Sequence, residues 1–206
     1  MFELIVIGVS TGGLQALAGI MKNLPEDFDI PMIIIAGADY NNEDMLSNYL
    51  DKRYRLKVKT AENGEKIRKG YVYLAPTAHH LLVENDHTFA VWPARPGRTG
   101  YSQLDALLES AGLIFRAALI GIILSGSEDE GAIGIRTLSR EGGLVIVQDP
   151  ASAREAHMPM AVIREVDVDY IVDQEEIAPL LGNLACQPPS TSGAFRSIRN
   201  TGKTYR

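Results

Sequence analysis

Ser10 lies at the centre of Gly8-Val9-Ser10-Thr11-Gly12-Gly13, a G-x-S-x-G run. Glycines on both sides allow a sharp turn and close backbone approach, and a serine at the apex is displayed as a nucleophile would be. A serine hydroxyl attacks only when a neighbouring base accepts its proton, so this chemistry needs an imidazole or a carboxylate close by. Two other readings stay open. Ser10 or Thr11 caps the following helix while the glycines merely turn the chain, or the amides of the turn hold a small ligand or anion. The run has neither the Gly-Lys-Ser/Thr of a P-loop nor the G-x-G-x-x-G of a dinucleotide fold. A second segment, Ser125-Gly126-Ser127-Glu128-Asp129-Glu130-Gly131, places three acids ahead of a helix, whose dipole stabilises them there. A third, Gln148-Asp149-Pro150-Ala151-Ser152-Ala153, leads to His157-Met158-Pro159.

The elements that must position these loops follow from apolar spacing. Leu4–Ile7, Met32–Ile35, Leu119–Leu124, Leu144–Gln148 and Tyr170–Val172 are short aliphatic runs, the mark of buried parallel strands. Between them, helical spacing is expected over Leu14–Leu24, Glu43–Leu50, Leu104–Phe115, Ala132–Glu141, Met160–Val166 and Glu175–Leu184. Tyr71–Ala75, together with Leu81–Glu84 and Thr88–Trp92 joined across Asn85–Asp86, is expected to form a β-ribbon. Residues 93–101, rich in Gly, Pro and Arg, read as loop. This alternation predicts an α/β fold: a doubly wound, mostly parallel sheet with helices on both faces and a small antiparallel ribbon insertion. In such a sheet the three loops meet beyond the carboxyl ends of the strands. Asp39, Glu43 and Asp44 then reach the same edge as Glu128, Asp129 and Glu130, making an acidic crevice. Such a crevice suits a hard cation or a cationic side chain, the plain alternative being solvated surface acids.

Composition narrows the class. The chain of 206 residues is 46% hydrophobic and 22% charged, with 19 Gly and 10 Pro, which excludes collagenous, disordered and disulfide-stapled chains. One cysteine, Cys186, permits no internal disulfide and no cysteine metal cluster, and no resident metal or cofactor is expected. No apolar run approaches the roughly 20 residues of a membrane span, and residues 1–20 lack a basic leader, so a cytoplasmic location without membrane insertion is expected. The net charge of −6 disfavours nucleic acid. The charge is uneven, since the segment from Cys186 onward holds Arg196, Arg199, Lys203 and Arg206 and no acid. The expected division is a domain over 1–185 and a basic tail over 186–206. The tail is suited to the acidic crevice of a second copy, giving a homo-oligomer, or to a partner.

Taken together the motifs resemble the catalytic domain of the CheB-type protein-glutamate methylesterases of bacterial chemotaxis, over roughly residues 3–184. Ile7 to Gly13 resembles the family's I-G-x-S-T-G-G, Tyr73-Leu74-Ala75-Pro76 with His80 its Y-x-A-P and following histidine, and Leu104-Asp105 its V-D. Ile123-Leu124-Ser125-Gly126 through Gly131-Ala132 resembles I-L-T-G-M-G-x-D-G-A. Gln148-Asp149, Ala151-Ser152 and Met158-Pro159 resemble Q-D-x-A-S and G-M-P. The resemblance implies hydrolysis of glutamate methyl esters on chemoreceptors by a Ser-His-Asp triad, under the control of a receiver domain, for which none is expected here.

Ser10 falls on the family's nucleophile and Glu130 on its triad acid, but Gly37 falls on its histidine, where the family's Q-H-M-P is replaced by Ala36-Gly37-Ala38-Asp39. Glycine offers no base, and in a serine protease losing that histidine costs on the order of a millionfold in turnover. His157 is the best substitute, set against its reading as a surface side chain. His80 sits at the ribbon, and His79 and His87 are expected to face solvent near a turn. The expected function is therefore a CheB-like pseudoenzyme, impaired in catalysis and acting as a binding or regulatory module on a chemoreceptor or other signalling protein. The alternative is an active or rewired serine esterase using Ser10 with a non-family base such as His157 or an acidic residue, and the expected catalytic residues are Ser10, Glu130 and His157. Gly8, Thr11, Gly12, Gly13, Gly126, Ser127, Asp129 and Met158 are the expected binding residues.

Overall fold

The computed structural model describes residues 1–37, 50, 55–77, 79–93 and 102–186. Nine strands and five helices are described: β1 Leu4–Val9, α1 Leu14–Asn23, β2 Met32–Ala36, β3 Lys57–Thr60, β4 Tyr71–Leu74, β5 His79–Val83, β6 Phe89–Pro93, α2 Gln103–Phe115, β7 Leu119–Ile123, α3 Gly134–Arg140, β8 Leu144–Gln148, α4 His157–Glu165, β9 Tyr170–Val172 and α5 Gln174–Ala185. Seven strands form one parallel sheet in the order β3-β4-β2-β1-β7-β8-β9, and β5 and β6 form a separate antiparallel pair. The doubly wound fold with a small ribbon is therefore as expected.

The sheet is covered on both faces because its central strands β2, β1 and β7 are apolar throughout and send alternate side chains to opposite sides. Ile5, Ile7 and Val9 pack with Ala16, Leu17 and Ile20 of α1 and Ile177, Ala178 and Leu181 of α5. Leu4, Val6, Ile33 and Ile35 pack on the other face with Leu104, Leu107 and Leu108 of α2, Ile135 and Leu138 of α3, Met158 and Val162 of α4, and Leu81, Val83 and Phe89 of the ribbon. β1 is the middle strand, with Gly8 in register with Ile35 of β2 and Ile123 of β7. The winding direction reverses there, so the turn after β1 stands where an open α/β sheet forms its crevice.

Several expectations need correction. Tyr71–Leu74 belongs to the main sheet, between β2 and β3, and only β5 and β6 make the ribbon. Its apolar, aromatic character fits either setting; what decides is parallel pairing with Met32–Ile34. β3, with two lysines in four residues, carries no apolar run and was not anticipated; it is an edge strand, where lysine blunts further pairing. α4 starts at His157, so that residue opens a helix instead of lying in a loop. His87 does not simply face solvent: at φ 64° its ring lies against that of Phe115, tilted by 37° with centroids 4.6 Å apart. The expected helix from Glu43 falls outside the described residues except for Leu50, which is fully buried. Asp39, Glu43, Asp44, most of the loop over 93–101 and the basic tail beyond Cys186 also lie outside them.

Candidate active site

Ser10 follows β1 directly and is 7% exposed. Its N–H donates to the Ser125 carbonyl at 3.0 Å, and its own carbonyl accepts from Gly13 N–H at 2.9 Å, closing the turn. Gly12 adopts φ 79°, a left-handed conformation that favours glycine. A methyl group on Gly12 would also stand 2.7 Å from the Cβ and Cδ of Arg154, so the arginine stem lies directly across the turn. Gly8 and Gly13 are packed too closely for side chains, against Leu104 and against Val9 and Ser125 respectively. Thr11 Oγ1 and Ser127 Oγ are 3.2 Å apart, linking the turn to the acidic loop.

Ser125, 1% exposed, ties the three loops together. Its hydroxyl donates to the Thr11 carbonyl at 2.8 Å and accepts from Glu155 N–H at 2.9 Å. Its own N–H donates to Gln148 Oε1 at 3.0 Å, and Gln148 Nε2 donates to the Ser152 carbonyl at 3.3 Å. Two backbone bonds complete the clamp, from Gly126 N–H to the Glu155 carbonyl at 3.0 Å and from Met158 N–H to the Gly126 carbonyl at 2.9 Å. Gly126 is held so closely that a methyl group there would lie 3.0 Å from both the Met158 sulfur and Ser10 Cβ. Ser10, Gly126 and Met158 thus converge. Sequence reasoning gave Ser125 and Gln148 no role, although a glutamine ending an aliphatic strand is the kind of buried polar group that must find partners.

Asp129, exposed, holds the imidazole of His157, with Oδ1 2.8 Å from Nε2. This carboxylate, and not Glu130, is the one that meets the ring. Glu130 lines a cavity of about 520 Å³ together with Asp129 itself, Ser102, Asp105, Glu128 and Arg164. Burial pushes its carboxyl above the usual range, with Glu128 and Asp105 adding to the effect. Asp105 itself is 2% exposed and satisfies two helix starts. Its Oδ2 accepts from the N–H and hydroxyl of Ser102 at 2.9 and 2.7 Å, completing the capping box of α2. Its Oδ1 accepts from Ile133 and Gly134 N–H at 3.0 and 2.8 Å, at the start of α3. Among the described residues no group of three or more His, Cys, Asp or Glu is arranged to hold a metal ion.

Gly37 sits against the serine. Its N–H donates to the Val9 carbonyl at 2.8 Å, and a Cβ built on it would stand 2.2 Å from Ser10 Oγ and 2.9 Å from Ser10 Cβ. A side chain at position 37 would therefore be in direct contact with the hydroxyl. His80, at the ribbon, has its Nδ1 buried without a hydrogen-bond partner, and His79 Nδ1 is 2.8 Å from the Thr77 carbonyl. No described helix is long and apolar enough to cross a membrane.

Comparison with known proteins adds a consistent result. A sequence profile described as CheB methylesterase matches residues 5–181. A putative protein-glutamate methylesterase/protein-glutamine glutaminase of Leptospira interrogans is 38% identical over 179 residues, covering 87% of this chain and 93% of that protein. A protein-glutamate methylesterase/protein-glutamine glutaminase of Nitratidesulfovibrio vulgaris is 32% identical over 184 residues, covering 88% of this chain but 50% of that protein. The crystal structure of the Thermotoga maritima CheB methylesterase catalytic domain superimposes with a TM-score of 0.80 at 30% identity, covering 89% of this chain and 99% of that one.

Proposed function

The chain belongs to the CheB methylesterase family, and from that premise we propose that it keeps the family fold and serine turn without the family's triad catalysis, serving as a binding or regulatory module in signalling. The observation that carries this reading is the contact between Gly37 and Ser10. Position 37 adjoins the hydroxyl closely enough that any side chain there would touch it, and by resemblance it is where the family places its histidine. Glycine accepts no proton, so position 37 does not supply Ser10 with the base that the family places there. His157, the substitute, has its Nε2 on Asp129. The partner in this reading is a signalling protein, a chemoreceptor being the one the family implies. A homo-oligomer formed by the basic tail in an acidic crevice is a further possibility of assembly, tested by mass at increasing concentration.

A fluorophosphonate probe tests the proposal. No labelling of Ser10 is expected under conditions that label an active serine hydrolase, and no ester hydrolysis above that of a Ser10→Ala variant. Labelling that disappears in Ser10→Ala would overturn it.

One observation favours a second reading. Asp129 and His157 form an acid–imidazole pair at the start of α4, one residue before Met158, which packs beside the serine. If the ring turns inward, Ser10 is the nucleophile, His157 the base, and Asp129 the orienting acid in place of Glu130. Ser10 labelling that is lost in His157→Ala would establish this version.

A further inference from the structure

The turn that follows β3 carries Asn63-Gly64. In this dipeptide the asparagine side chain is least hindered from reacting with the next backbone nitrogen, because glycine has no side chain in the way. Both residues are exposed. Gly64 adopts φ 76°, and a methyl group there would meet nothing within 4 Å. The Glu62 carbonyl accepts from Glu65 N–H at 3.1 Å and closes the turn. The two groups that would react are nevertheless both held by β6. Gly64 N–H donates to the Phe89 carbonyl at 2.7 Å, and Asn63 Oδ1 accepts from Val91 N–H at 3.0 Å. Phe89 N–H donates in turn to the Glu65 carbonyl at 2.9 Å, so the ribbon is stitched to the turn on both sides of Gly64.

We infer that Asn63 is a site of spontaneous deamidation, held in check by the docked ribbon and released when β6 lifts from the turn. Gly64 N gives up its proton to solvent and attacks Asn63 Cγ. The new C–N bond closes a succinimide ring, the Cγ–Nδ2 bond breaks, and ammonia leaves. Water then opens the ring at either carbonyl, leaving an aspartyl or an isoaspartyl residue at position 63. In sum an amide and a water become an acid and an ammonia, with no change of oxidation state. While the ribbon is docked, the attacking nitrogen has its proton committed to Phe89 and the side-chain carbonyl is fixed by Val91. Both restraints come from one strand and are lost together, so the chemistry proceeds through local opening of the ribbon. The products weaken the same stitch. An aspartyl residue adds a negative charge between Glu62 and Glu65, which already share the ammonium of Lys59 at 2.9 and 3.0 Å. An isoaspartyl residue puts an extra methylene into the main chain and carries Gly64 N–H away from the Phe89 carbonyl. Leu81, Val83 and Phe89, the ribbon's share of the core, are then held less firmly. No group of the serine turn takes part, so the inference stands apart from the reading of Ser10.

The test incubates the full chain and a free peptide spanning Lys57–Gly70 in the same neutral buffer. Conversion at position 63 is followed by peptide mass, and the isoaspartyl product by enzymatic methyl transfer to its carboxylate. The folded chain is expected to convert about thirtyfold more slowly than the peptide, the scale of two hydrogen bonds. Val91→Pro removes the donor to Asn63, and Val83→Ala loosens the ribbon from beneath without touching the turn. Each should speed conversion of the folded chain about fivefold. Thermal unfolding shows which variants are folded, and Val83→Ala carries the comparison should Val91→Pro not fold. Conversion of the folded chain as fast as the peptide, or an unchanged rate in the folded variants, would overturn the inference. So would a peptide that does not convert, or a folded chain still intact after about a hundred peptide half-lives.

Discussion

The fit of Gly37 against Ser10 sets a measurable constraint. Substituting Gly37 by alanine inserts a methyl group within 2.2 Å of the hydroxyl oxygen, forcing the serine out of its rotamer or moving the two turns apart. A cost of about 1–3 kcal/mol is expected by denaturant unfolding. The same substitution in a Ser10→Ala background should cost less than half as much, because the contact with oxygen is gone; a double-mutant cycle reads the difference. Glu130 makes a second prediction. Its carboxyl is raised in the folded state chiefly by burial, so the native protein binds its proton more tightly than the unfolded chain. The favourable contribution is complete below the unfolded value of 4.5 and is lost as pH rises through the folded pKa. Glu130→Gln should therefore raise the melting temperature at pH 7, and the gain should fade as pH drops into the ordinary carboxylate range.

At the scale of elements, Asp105 joins two helix starts that are remote in sequence. Asp105→Ala would leave the N–H groups of Ile133 and Gly134 and both donors of Ser102 without their acceptor. A loss of about 2–4 kcal/mol is expected, seen as a lower urea midpoint at unchanged m-value. Asp105 was legible as a motif residue but not as a brace, because its second pair of partners lies nearly thirty residues away and only the fold brings it near. The same limit explains the misplaced Tyr71–Leu74. Its periodicity announces a strand, but not whether it joins a sheet of parallel neighbours or a local ribbon. β3 was illegible for the opposite reason: its register against Tyr71–Leu74 is set by the backbone of its neighbour and not by its own lysines. By contrast the turn around Ser10 and the acidic loop were readable, because each follows a strand with strong apolar spacing, whereas His157–Met158 reads as loop and in fact opens α4. That His157 meets Asp129 and not Glu130 depends on side-chain directions that one-dimensional spacing does not encode.

For the whole molecule, the sheet order concentrates stability at its middle. Ile5 and Ile7 of β1, Ile33 of β2 and Ile120 of β7 are fully buried, whereas Lys57 on the edge strand β3 is exposed. Hydrogen exchange of β1 amides is accordingly expected to require global opening, while β3 exchanges through local fluctuation at least about a hundredfold faster. Equal protection across the sheet would contradict this gradient. The serine turn thus hangs from the most protected strand, and its geometry persists as long as the protein is folded. β1 also has its two edges satisfied by strands from opposite halves of the chain, β2 before the ribbon and β7 after it. A polypeptide severed anywhere within residues 94–101 would yield an amino-terminal piece with one bare edge on β1 and a carboxyl-terminal piece whose β7 has lost its template. Such pieces are complementary fragments and not separable modules, and co-expressing them should regenerate the sheet only when both are present.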